Sequence, residues 1–189
     1  MTRFEKGGEG MRRITTRHLT FAAMFTALAV VLSIYPFTFY LPDSSRITFR
    51  EIPIYLCSFT LGPVFGGLCA FIADLIGTFI SSSGNAWNPL FALNAVLTGA
   101  LPGLLFRFVF KRQNGVLSKA LSIIPVNILV SLFLTTLWLH VLHFDGGVPF
   151  WAHLLLRMLL VAVMTAVQIL AVSALYPVVL RGIEGGKQA

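Results

Sequence analysis

Asp74, Asn94 and Arg157 interrupt stretches that are otherwise apolar, each six or seven residues in from the end of its stretch. At 1.5 Å per residue of helix, that offset places all three roughly 10 Å below one surface of a bilayer. Ionisable groups inside a membrane span cost at least ~2.5 kcal/mol each on insertion scales, so they face the protein interior and mark function. An acid, an amide and a guanidinium at one level can hold a polar ligand in a fixed orientation. Asp74 and Arg157 can instead neutralise one another as a buried structural pair. Catalysis would call for a paired acid and base, or a metal, around a reacting atom, and one acid with one arginine is thin support for that.

Other residues extend the pattern. Trp138 falls at a similar depth on another stretch, and Gln168 lies deeper. Asp74, Asn94, Arg157 and Trp138 read as the floor of a pocket, with Arg46, Arg50, Trp87 and the aromatic residues around them as its rim. Phe91 offers an aromatic face for stacking. Each has a plainer reading. Trp87 suits an interfacial aromatic belt, Asn88 a helix cap, and Asn94 an interhelical hydrogen bond. His18, His140, His143 and His153 have no metal-ligand spacing with a carboxylate, and Cys57 and Cys69 lie in apolar stretches as small buried hydrophobes. No nucleotide-binding loop, zinc-binding helix signature or nucleophile elbow occurs, so neither a cofactor, a metal nor an ATPase site is expected.

These side chains need spanning elements to position them. Apolar residues make up 57% of the 189-residue chain and charged ones 11%, against roughly 45–50% and 25% in an average soluble domain. Long apolar runs without ten-residue alternation select helices over a barrel. The sequence predicts an all-α membrane protein, a bundle of about six transmembrane helices with structured outward-facing loops. The spans fall at about His18–Tyr35, Ile52–Leu61, Val64–Ile80, Asn88–Phe110, Leu117–Leu142 and Phe150–Leu180. Gly62-Pro63 separates the second from the third, and Pro102 is placed to kink the fourth. Phe37–Arg50 reads as a structured polar loop. Residues 1–12 form a lead-in, 13–182 one membrane domain, and 183–189 a polar tail.

The formal charge of +7 would point to nucleic acid in a soluble chain, but here the cations cluster in short polar segments and carry topology instead. Lys and Arg are dense before the first span, between the fourth and fifth, and after the sixth. The positive-inside rule then puts both termini in the cytoplasm. Arg46 and Arg50 fall on the disfavoured side, for which that rule supplies no reason.

Ala23-Met-Phe-Thr-Ala27, Phe49-Arg-Glu-Ile-Pro53, and Leu61-Gly-Pro-Val-Phe-Gly-Gly67 leading to Ala73-Asp-Leu-Ile-Gly77 together resemble the substrate-binding S components of energy-coupling-factor (ECF) vitamin transporters. The likeness runs from about Arg13 to Leu180. Arg46-Ile-Thr-Phe49, Thr136-Leu-Trp138 and Arg157 are most similar to the folate-specific members. Two positions depart from that pattern: Arg50 stands where those members tend to have glycine, and Leu160 where they have a lysine.

The resemblance implies a prokaryotic cell-membrane protein that captures a vitamin, folate foremost, from outside for ATP-driven uptake. It implies assembly with a transmembrane coupling protein and two cytoplasmic ATPases, the Ala23 and Ala27 face of the first span docking on the coupling protein. On a folate-like ligand the rings would stack on Trp87, Phe91 or Trp138. Asp74 or Asn94 would pair with the pterin edge, and arginines would hold the carboxylates. Another vitamin such as pantothenate or riboflavin in the same architecture, and a membrane-embedded scaffold or enzyme, are the competing readings.

Overall fold

Apolar runs bounded by Gly, Pro and short polar segments fold into six helices. The structure is a computed structural model, which describes residues 16–34, 38–40, 46–80, 88–110, 115–141 and 150–185. The helices are α1 (Thr16–Ser33), α2 (Glu51–Thr60), α3 (Pro63–Ile80), α4 (Pro89–Val109), α5 (Val116–Val141) and α6 (Phe150–Gly185). The expected lead-in and most of the polar loops lie outside the described residues, and the last helix continues to Gly185, into the first residues of the expected tail.

Helices α3, α4, α5 and the Arg157–Gly182 stretch of α6 are each long and apolar enough to cross a membrane. Helix α2 is not. Its ten residues rise about 15 Å, half of a typical hydrocarbon core. It is instead packed inside the bundle, and every residue from Pro53 to Thr60 is buried. A helix that is apolar on all sides finds its place in the interior. Ile54, Tyr55, Leu56, Cys57 and Phe59 meet Phe25 and Ala29 of α1, Cys69, Ala70 and Ala73 of α3, and Val172 and Tyr176 of α6 in one core. Cys57 and Cys69 are buried free thiols within it.

Close packing of α3 on α4 depends on glycines. A Cβ on Gly66 would lie 2.5 Å from the Gly99 carbonyl oxygen and 2.5 Å from Ser58 Cβ, so only hydrogen fits. Small residues at such crossings let backbones approach where lipid supplies no hydrophobic drive. Gly62, at φ 116°, makes the tight turn from α2 into α3.

Two helices carry π-helical stretches, Leu105–Val109 at the end of α4 and Asn127–Leu134 in the middle of α5. Each follows a proline, Pro102 or Pro125, whose missing N–H and bulky ring disturb the regular ladder.

The segment after α1 is not wholly irregular. Thr38–Tyr40 (β1) and Arg46–Thr48 (β2) pair antiparallel, with Thr38 opposite Thr48 and Tyr40 opposite Arg46. Thr48 ties this ribbon to the bundle, its hydroxyl donating to the Leu32 carbonyl at 3.1 Å. The end of α1, the start of α2 and the end of α3 therefore meet at the ribbon end.

The outer faces are as apolar as the interior. Leu155, Leu159, Leu170 and Val178 on α6, and Phe79, Val64 and Leu68 on α3, are exposed. Contiguous apolar surface on this scale is a surface for lipid.

Candidate ligand-binding cavity

Near the ribbon end, α2, α4, α5 and α6 part to leave a cavity. Its wall includes Thr48, Arg50, Glu51, Phe91, Asn94, Asn127, Ser131, Thr135, Arg157, Leu160 and Gln168. The centres of water-sized molecules have about 150 Å³ available to them. That corresponds to roughly ten waters, or ~300 Å³ of liquid, the lower end of the range for small-molecule sites.

One wall is ionic. Arg50 Nη1 donates to Asp74 Oδ1 at 3.1 Å, and Arg50 Nε lies 3.6 Å from Glu51 Oε1. Arg50 sits in the turn between β2 and α2, its amide donating to Thr48 Oγ1 at 3.3 Å, and so is delivered by the ribbon. Asp74 reaches it from α3 and is buried behind it, off the cavity wall.

The opposite wall is made by α5 and α6. Asn127, Ser131 and Thr135 recur every four residues from the start of the π-helical stretch of α5 to the residue just past it, and all three line the cavity. Arg157 crosses from α6, its Nη2 donating to the Ser131 carbonyl at 3.2 Å. At the floor, the Tyr55 hydroxyl donates to Asn127 Oδ1 at 2.7 Å. Asn127 Nδ2 in turn donates to Thr165 Oγ1 at 2.9 Å and to Gln168 Oε1 at 2.7 Å. A buried amide satisfied on both sides holds its helices in one arrangement.

Asn94 is held equally firmly. Its amide donates to Thr135 Oγ1 at 3.2 Å, and its oxygen accepts from Trp138 Nε1 at 3.2 Å. Among the described residues the cavity and its backing carry two guanidiniums, Arg50 and Arg157, and two carboxylates, Glu51 and Asp74, both of which pair with Arg50. Among the described residues no group of three or more His, Cys, Asp or Glu side chains is placed to hold a metal ion.

A family model described as "ECF transporter, substrate-specific component" matches residues 17–182. The chain belongs to that family. No curated protein matches it. Among solved structures it is similar to "Crystal structure of FolT bound with folic acid", with a TM-score of 0.70 and 24% identity over 88% of this chain and 98% of that one. It is also similar to "Crystal structure at 2.1 A of the S-component for biotin from an ECF-type ABC transporter", with a TM-score of 0.70 and 17% identity over 89% and 94%. A third, "Structure and mechanism of the S component of a bacterial ECF transporter", gives a TM-score of 0.52 and 20% identity over 92% and 99%. At these identities the structural likeness shows the fold alone.

Within this ECF component, the residues expected at the pocket divide. Arg50, Phe91, Asn94 and Arg157 line the cavity. Asp74 backs Arg50 rather than pairing with Arg157, because the ribbon brings Arg50 to the end of α3. Trp138 acts through Asn94. Asn88 caps α4, its side-chain oxygen accepting from the Leu90 amide at 3.0 Å. Trp87 lies outside the described residues, and of Arg46 only the backbone, paired with Tyr40, is described. Glu51, Asn127, Ser131, Thr135 and Gln168 were not singled out as pocket residues. The four-residue spacing of Asn127, Ser131 and Thr135 was a usable signal. Glu51 gave none, since it begins a helix beside a polar loop.

Proposed function

We propose that this chain captures a vitamin from outside the cell, folate being the first candidate, and hands it to an ATP-driven ECF assembly. The observation that carries the reading is the cavity itself, in a protein of this family. It combines an aromatic edge at Phe91, two arginines, and fixed amides at Asn94 and Asn127, which is the mixture a flat polar heterocycle with an anionic tail requires. The ribbon end faces outward and both termini lie in the cytoplasm, as the distribution of Lys and Arg favours. On this reading Trp87 and Arg46, placed at the rim by their sequence positions, would complete the outward side of the site. Ala23 and Ala27 are exposed on α1 and form the face for the transmembrane coupling protein, the two ATPases lying beyond it. The lipid bilayer covers the remaining apolar surface.

One observation favours a different vitamin in the same cavity. Arg50 and Leu160, where the sequence departs from the folate-type pattern, both stand on the cavity wall.

Mass spectrometry of the small molecule that purifies with the protein tests both readings, repeated on Arg157→Ala. A folate recovered from the parent and lost from the variant is expected. Recovery of pantothenate or riboflavin instead would keep the transporter and replace the ligand. No bound or bindable vitamin would overturn the reading.

A further inference from the structure

On the cavity wall, two consecutive residues each carry a buried polar atom without a hydrogen bond, one a donor and the other an acceptor. Arg50 Nε and Glu51 Oε2 are both buried, and neither makes a hydrogen bond. A buried polar atom without a partner is costly, and its presence in a folded site calls for an explanation. Most other polar groups at the site have theirs: Asp74 holds Arg50 Nη1, Asn94 is satisfied by Thr135 and Trp138, and Asn127 by Tyr55, Thr165 and Gln168. The two unused atoms belong to consecutive residues on the cavity wall.

With each other the two residues form only a loose ion pair. The approach of Arg50 Nε to Glu51 is 3.6 Å and goes to Oε1, too long for a hydrogen bond. Asp74 occupies Nη1, so the guanidinium is fixed from behind with its Nε edge turned to Glu51. The terminal torsion of a glutamate is soft, so its carboxylate can turn to offer either oxygen at little cost.

We infer that Arg50 and Glu51 together read a cyclic amide or cyclic urea edge on the ligand. Arg50 Nε–H donates to the ring carbonyl oxygen and Glu51 accepts from the adjacent ring N–H. A ring amide is held cis, with its oxygen and nitrogen about 2.2 Å apart on one side. Arg50 Nε and Glu51 Oε1, 3.6 Å apart, can close two converging hydrogen bonds on such an edge. An amidine edge, with an amino group in place of the carbonyl and a bare ring nitrogen in place of the N–H, meets donor against donor and acceptor against acceptor. A site that hydrogen-bonds its ligand this way rejects a mispaired analogue strongly, because buried polar atoms are left unpaired. Glu51 is then a specificity-determining residue. Asp74, which touches Arg50 but not the cavity, is a positioning residue.

This inference rests on the vitamin-capture reading, and the test separates the two. The purified full-length chain in detergent is titrated with folic acid, with its 4-amino analogue, with biotin and its N-methylated ureido derivative, and with thiamin, which carries no amide edge. The series is repeated on Glu51→Gln and Glu51→Ala, with thermal unfolding measured for each. The expected result is binding of folic acid or biotin with a preference of about tenfold or more over the mispaired analogue. Glu51→Gln, nearly isosteric and able to donate, should narrow or invert that preference with little change in unfolding temperature. A purely structural Glu51 would lower stability and leave the preference where it was. Preference undiminished in both variants overturns the Glu51 assignment and leaves vitamin capture standing, as does binding of thiamin alone. No binding of any probe to the parent overturns the Glu51 assignment, and vitamin capture falls with it only if riboflavin and pantothenate, titrated alongside, also fail to bind.

Discussion

At the scale of single residues, the arrangement around Arg50 decides how the cavity is charged. Its guanidinium lies between Asp74 and Glu51, with side-chain exposures of 13%, 4% and 18% respectively, so little water shares the charge. Removing one partner of a buried pair costs more than removing both, because a charge is left behind. Asp74→Ala is expected to destabilise the protein by roughly 2–3 kcal/mol, below the full cost for a dry pair because Glu51 remains near. It should also weaken ligand binding, since Arg50 is no longer held from α3. Arg50→Leu combined with Asp74→Leu should recover part of the stability and none of the binding. Thermal unfolding and ligand titration of the two variants check this, and parent-like melting of Asp74→Ala would show that the pair holds nothing. The sequence placed Asp74, Asn94 and Arg157 at one level, and two of them do share the cavity wall. It did not show that Arg50 turns inward, because a residue at the end of a polar loop has no periodicity to give its direction.

At the scale of elements, an irregular α5 forms one wall of the cavity, and α4, which carries Phe91 and Asn94, is packed closely on α3. The π-helical stretch follows Pro125, and Asn127 and Ser131 within it and Thr135 just past it line the cavity. Neither its position nor its length follows from composition, which is why most of the α5 wall went unread while the span itself was evident. The α3–α4 crossing had a signal that the sequence reading did not use, in Gly66, Gly67 and Gly99, which mark close approach. A Cβ at Gly99 would meet Ala70 Cβ at 2.8 Å and the backbone of Gly66 as closely, and backbone cannot yield as a flexible side chain would. Gly99→Leu should therefore push α4 from α3 and distort the wall that carries Phe91 and Asn94. The expected outcome is a protein that inserts in the membrane but melts at a lower temperature and binds no ligand. Ala at the same position should fall between. Unchanged melting in the Leu variant would mean that the helices separate without cost and that the crossing does not shape the site.

At the scale of the whole molecule, the proposed function assigns two surfaces to different partners. Most of α6 presents Leu, Val and Met outward, suited to lipid tails. Helix α1 presents Ala23 and Ala27 beside the larger exposed Leu19, Met24, Leu28 and Val31, a knobbed face with a shallow strip where another helix can approach closely. The cavity lies among α2, α4, α5 and α6 and draws no wall residue from α1, so the two activities are separable by mutation. Replacing both alanines with tryptophan should fill the strip and leave the cavity untouched. The isolated variant should bind ligand as the parent does and unfold at a similar temperature, because the new side chains enter lipid. Co-expressed with the coupling protein and ATPases, it should fail to co-purify with them and should lose ATP-dependent uptake. Leu155→Trp and Leu159→Trp, on the exposed face of α6, are the matching controls and should retain both. If the α1 variant assembled and transported normally while the α6 controls did not, the partner face would lie on α6, and the alanine pattern would reflect only close packing in the membrane.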